Sequence, residues 1–182
     1  EYPVVLVTGP RQGGKTTMLQ KLMYGTGRGY VSLDDLTERD LAKRDPELFL
    51  QLHRPPVLID EVQYAPELFP YIKLAVDREH QAGAFWLTGS QIFKLMRGVQ
   101  ASLAGRVAVL SMTTLSQAEA DRAQTEPFLV ELEELKRRAA GRLPADTHEI
   151  FERIYRGSMP AIVSGTASNS QIFYSSYLST YI

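Results

Sequence analysis

Five short apolar runs punctuate the first two-thirds of the chain: VVLVT at 4–8, YVSLDD at 30–35, PPVLIDE at 55–61, GAFWLTGS at 83–90 and GRVAVLSM at 105–112. Their continuous hydrophobicity suits strands buried on both faces of a parallel sheet. Between them, apolar positions recur at helical spacing. Met18, Leu19, Leu22 and Met23 mark a helix over 15–24. Leu41, Leu48, Phe49 and Leu52 mark an inward face over 37–53, and a third helix covers 66–81. Strands alternating with helices predict βαβ units, an α/β core to about residue 115.

From about residue 117 the texture changes to charged amphipathic helices, FLVELEELKRRAAGRL at 128–143 and THEIFERIYRG at 147–157. The small-residue linker SGTASNS at 164–170 precedes a final helix. The expected division is 1–115 for the core and 116–182 for a helical appendage. Both ends enter or leave structure abruptly, which reads as a fragment of something longer. The charge run 131–138 fits a solvated helix face. The terminal aromatics Phe173, Tyr174, Tyr177 and Tyr181 fit a packing face rather than a base-stacking platform.

Composition narrows the function classes. The 182 residues carry 20 Lys+Arg against 21 Asp+Glu, a formal charge of −1, which gives nucleic-acid binding no support. There is no cysteine, so neither disulfides nor a thiolate metal site contributes. His53, His80 and His148 lack metal-ligand spacing. No apolar run reaches the ~18 residues of a membrane span, and the expectation is a soluble cytoplasmic protein.

The chemistry concentrates after the first strand. Gly9-Pro10-Arg11-Gln12-Gly13-Gly14-Lys15-Thr16 matches G-x-x-x-x-G-K-[ST] at every fixed position, between a buried strand and a helix start. Backbone N–H groups from Gln12 through Thr17 would curl round an anionic phosphate, helped by the positive end of the following helix. Lys15 would reach the β- and γ-phosphates, the Thr16 hydroxyl would ligate Mg²⁺, and Thr17 would bond the α-phosphate. Arg11 would pair with Asp34 or Asp35, or face the γ-phosphate.

The third strand supplies the other half. Asp60 is placed to hold the magnesium, and Glu61 to polarise a water for attack on the γ-phosphate. At the end of the fourth strand Ser90, or failing it Thr88, would orient that water. Arg106, just before the fifth strand, would supply transition-state charge in cis or to a neighbouring subunit. No Asn-Lys-x-Asp segment is present, Asn169 being the only asparagine, so guanine specificity is excluded. The short inter-strand connections argue against a small-molecule kinase. ATP with Mg²⁺ is therefore the expected ligand pair.

On LVTGPRQGGKTTML, YVSLDD, VLIDEVQYAPELFPYIK, FWLTGSQIFKLM, SLAGRV and RIYRGSMPAIV…FYSSYLSTYI, the chain resembles the prokaryotic AAA+-like ATPases that carry a C-terminal domain of unknown function. The resemblance implies an ASCE-type P-loop fold, a three-layer sandwich with parallel strand order 5-1-4-3-2 followed by a small helical region. It also implies a further C-terminal half, through which a homo-oligomer or a protein partner would act. Gly13 departs from the valine common there, which is expected to loosen the loop. The function expected is Mg-dependent ATP hydrolysis coupled to a conformational change in that C-terminal half. The alternative is a nucleotide-gated switch that turns over very slowly.

Overall fold

The computed structural model describes residues 1–90, 98–99, 101–123, 130–140 and 145–181. The chain divides into two compact units, Glu1–Thr113 and Thr114–Ile182.

In the first unit, β1 (Val4–Thr8), β2 (Gly29–Ser32), β3 (Val57–Asp60), β4 (Phe85–Gly89) and β5 (Val107–Ser111) form one parallel sheet in the order β2-β3-β4-β1-β5. This is the predicted order 5-1-4-3-2 viewed from the other edge. Side chains alternate between two cores, as the period of a strand requires. Val4, Leu6, Val57 and Ile59 face a large cluster with Phe49, Leu68, Phe69 and Ile72, while Val7 and Leu58 face a smaller one with Leu19. Helices α2 (Leu36–Arg44), α3 (Pro46–Leu52) and α4 (Leu68–Glu79) supply the first cluster; α1 (Lys15–Met23) supplies the second. Three layers result.

The helix expected over 37–53 is two helices. Pro46 has no N–H to donate and forces Asp45 out of the helical region, to φ −140° and ψ 76°. Asp45 then caps the new helix, accepting from the Leu48 N–H at 2.9 Å, with Pro46 in its first turn. The break turns Leu48 and Leu52 outward, 40% and 64% exposed, while Phe49 stays fully buried. Of the four side chains expected to face inward, two therefore do not.

The parallel register sets the functional edge. Thr8 lies beside Gly89 on one side and Ser111 on the other, and Ser32 lies beside Asp60. The carboxyl ends of β1, β3 and β4 thus open on one rim.

The second unit holds α5 (Gln117–Ala120), α6 (Leu132–Ala140), α7 (Thr147–Arg156), α8 (Pro160–Val163) and α9 (Ser170–Tyr181). Ser116 and Glu119 close a reciprocal capping box on α5. The ends of the predicted 128–143 helix, 128–129 and 141–143, lie outside the described residues. On α9 the Phe173 ring meets Tyr174 edge-on at 5.3 Å and stacks on Tyr177 at 6.2 Å, a local aromatic face. Among the described residues no helix is long and apolar enough to cross a membrane.

Candidate functional site

The loop from Gly9 to Gly14 leaves β1 at the rim and turns into α1. Gln12 and Gly14 take positive φ, 57° and 94°. Positive φ places successive backbone N–H groups on one concave side, a nest for an anion. Gly14 is the N-cap residue and makes no side-chain cap bond, and no acidic residue stands in the first turn of α1. The first N–H groups of that helix are thus left for an outside acceptor.

Gly9 has a different reason to be glycine. Its φ is 151°, and a Cβ there would run into the Met112 carbonyl at the exit of β5. The position is fixed by the close passage of two strands as well as by the loop. At Gly13 an added Cβ would lie 3.1 Å from the Pro10 carbonyl oxygen and 3.2 Å from Pro10 Cγ. The Pro10 carbonyl also accepts from the Gly13 N–H at 3.2 Å. The space expected to loosen the loop is occupied by its own proline.

Lys15 is 5% exposed, and its ammonium donates to the carbonyls of Gly9 at 3.1 Å and Pro10 at 2.8 Å. Burial pushes its pKa below the ordinary 10.5; nearby Glu61 and Asp60 oppose that shift, and Arg11 adds to it.

Asp60 is the hub of the rim. Its Oδ1 accepts from the Thr16 hydroxyl at 2.8 Å and, in a short bond, from the Thr88 hydroxyl. Its Oδ2 accepts from the Tyr30 hydroxyl at 3.3 Å. Burial and the Asp60 charge together raise the Tyr30 pKa. Thr88 is fully buried and does double duty: its oxygen also accepts the Glu61 N–H at 3.0 Å. Glu61 sits in the left-handed region, φ 56° and ψ 44°, so the chain turns sharply as it leaves β3. Its Oε2 accepts from the Ser90 hydroxyl at 3.3 Å and, in a short bond, from the Gln63 amide.

The structure thus gathers Lys15, Thr16, Asp60, Glu61, Thr88 and Ser90 at one rim. Thr88, the second choice behind Ser90, is the more deeply engaged of the two. Tyr30 and Gln63 were not anticipated. For Gln63 a signal existed, a polar residue inside the otherwise apolar VQYA run; for Tyr30 there was none beyond its place in the second strand. Thr17 stands in the first turn of α1 as expected.

Arg106 is not part of this group. Val4 and Val107 are register partners and the Arg106 carbonyl accepts from the Val4 N–H at 3.2 Å, so Arg106 lies at the opposite end of the sheet. Six residue steps along β1 separate its level from that of Gly9, about 20 Å at the usual rise. Its guanidinium is paired with Asp77, Nε to Oδ1 at 2.5 Å and Nη2 to Oδ2 at 3.0 Å. The role in cis is therefore corrected by the strand's direction: a residue before β5 is delivered to the rim where the strands begin. Arg11 donates to the Tyr64 hydroxyl at 3.5 Å. Asp35 caps α2 through the Thr37 N–H at 2.7 Å, and Asp34 lies 3.8 Å from Arg39.

A P-loop between a buried strand and a helix, on a five-stranded parallel sheet in this order, defines a nucleotide-binding α/β unit of the ATPase type. The comparisons with known proteins agree. The chain belongs to the AAA domain family, whose profile matches residues 1–120. It is similar to the uncharacterised proteins Mb2031c of Mycobacterium bovis and Rv2008c of Mycobacterium tuberculosis. Each is 36% identical over 115 residues, a stretch covering 63% of this chain and 26% of the relative. The match thus spans about a quarter of the length of these curated relatives. The fold is also similar to the Walker-type ATPase PABY2304 of Pyrococcus abyssi, with TM-score 0.56 and 17% identity, over 99% of this chain and 67% of that one.

Proposed function

We propose that the chain binds ATP with Mg²⁺ and hydrolyses it, with Glu61 as the general base. The observation that carries this reading is the meeting of Thr16 and Asp60, 2.8 Å apart, beside the carboxylate of Glu61 on the rim where the loop opens. A hydroxyl and a carboxylate oxygen are hard donors of the kind Mg²⁺ takes when phosphates and waters complete its shell. When bound, the ion supplies charge neutralisation at the phosphates.

The chain's own groups divide the remaining work. The loop N–H groups hold the phosphates, and Lys15 exchanges its bonds to the Gly9 and Pro10 carbonyls for phosphate oxygens. Thr17 bonds the α-phosphate. Glu61 accepts a proton from water as the water oxygen bonds to the γ-phosphorus; the bond to the β,γ-bridging oxygen breaks, and ADP and phosphate leave. Thr88 fixes the Asp60 carboxylate and the Glu61 N–H, and Ser90 bonds the Glu61 carboxylate. The released energy drives a change in a C-terminal half, to which residues 116–182 form the lead.

A specific observation favours the second reading, a nucleotide-gated switch with very slow turnover: Arg106 stands at the far rim. On that reading, the charge that speeds hydrolysis is brought by a neighbouring copy or a partner. ATP binding and turnover, measured with and without chelator and in Asp60→Asn, test the proposal. Binding without turnover at any protein concentration selects the switch; no binding overturns both.

A further inference from the structure

Beside Glu61 lies a side chain whose arrangement stability alone does not account for. Gln63 sits in a 3-10 turn, Val62–Tyr64, directly after Glu61, and is 8% exposed. Its amide nitrogen donates to Glu61 Oε2 in a short bond. A carboxylate only accepts, so the NH₂ must face it and the direction of the amide is forced. The consequence falls on the other end: Gln63 Oε1 is buried and, among the described residues, has no hydrogen-bond partner. Buried polar atoms are nearly always satisfied, and an orphan needs a reason. Glu61 itself is held in the left-handed region, a costly conformation for a side-chain-bearing residue. Two unfavourable placements, two residues apart in sequence, converge on one carboxylate.

From this geometry we infer that Gln63 is a positioning residue for Glu61. It loads Oε2 together with Ser90, whose hydroxyl lies 3.3 Å from the same oxygen, and leaves Oε1 of Glu61 as the oxygen that takes the proton. A free glutamate side chain would sample several rotamers, and fixing one before the reaction removes that search from the barrier. Gln63 acts through its bond to Glu61. The inference rests on the reading of Glu61 as the base.

The test is a double-mutant cycle in the full chain: Gln63→Met, which keeps the unbranched shape and removes the donor, Glu61→Gln, and both together. Gln63→Met is expected to lower kcat by about 10- to 100-fold with KM unchanged within about twofold. In the Glu61→Gln background it should cost nothing further, because there is no base left to position. Without nucleotide, Gln63→Met should unfold at a denaturant midpoint no lower than wild type, since it removes the orphaned acceptor. Gln63→Glu, which sets an acceptor against an acceptor, should lose turnover in the same pattern and serves if Met does not fold. Full turnover in Gln63→Met alongside loss in Glu61→Gln overturns this inference and leaves the base in place. Equal losses in both backgrounds, or a lowered midpoint, assign Gln63 to packing and overturn it too. Full turnover in Glu61→Gln removes the base itself, and this inference falls with it.

Discussion

Thr88→Val isolates the polar wiring of the rim with almost no change of shape. Thr88 is completely buried in β4, and its one hydroxyl serves two groups. It donates to Asp60 Oδ1 and accepts the Glu61 N–H at 3.0 Å. Valine removes both. A hydrogen bond to a charged group contributes about 1.5–3 kcal/mol, and an unsatisfied buried N–H costs about 1–3 kcal/mol. Asp60 keeps its donors Thr16 and Tyr30, which places the first contribution at the low end. The expected loss is about 3 kcal/mol. Thr88→Ser keeps the hydroxyl and loses only a buried methyl, about 1 kcal/mol. The order is therefore Val worse than Ser, the reverse of what hydrophobic burial alone dictates. Trp86, the chain's one tryptophan, lies in the same strand beside Val5 and Leu58, so its fluorescence in urea reports on this unit. With a slope of about 1–3 kcal/mol per molar, the Val midpoint should fall by about 1–3 M. A Val variant within ~0.5 kcal/mol of wild type, the usual scatter for a change away from such features, or a Ser variant less stable than Val, refutes the wiring.

The loop and its lysine make two further predictions. Gly13→Val should weaken ATP binding, because its Cβ would meet Pro10 at 3.1–3.2 Å; Pro10→Ala should recover part of that loss, a coupling of about 0.5–3 kcal/mol read by titration calorimetry. Strictly additive losses would mean that the two residues do not share the space. Lys15 has a folded pKa below the 10.5 of the open chain, so between those values the unfolded state binds more protons and stability rises with pH. Below the folded pKa the penalty is full and constant, and it is relieved as pH rises through the window. Urea midpoints without nucleotide should climb more steeply with alkaline pH in wild type than in Lys15→Met; parallel slopes would contradict the burial of that ammonium.

Much of this molecule is legible from local pattern because a parallel sheet buries its strands on both faces. VVLVT and VLID read as strands on hydrophobicity alone, and the strand order came with the family likeness. What escaped is what depends on geometry between distant segments. Pro46 splits a helix that periodicity runs straight through, since apolar spacing persists on both sides of the break. Arg106 lies near the rim in sequence logic and far from it in space, because the direction of β5 is not written in its neighbours. Gly9 looks like a loop glycine, yet the Met112 carbonyl also demands it. As letters Ser90 comes ahead of Thr88; the register, setting Ile59 beside Leu87, is what gives Thr88 the Asp60 contact. Gln63 acquires meaning only once Glu61 turns left-handed and brings its carboxylate back within reach.

The most direct test of the account is single-turnover ATP hydrolysis by Glu61→Gln, with ATP affinity measured on the same protein. Glu61 as general base predicts unchanged affinity and a chemical step slower by about 10²- to 10⁴-fold. A mutant that binds ATP and cleaves it at the wild-type rate would contradict the account.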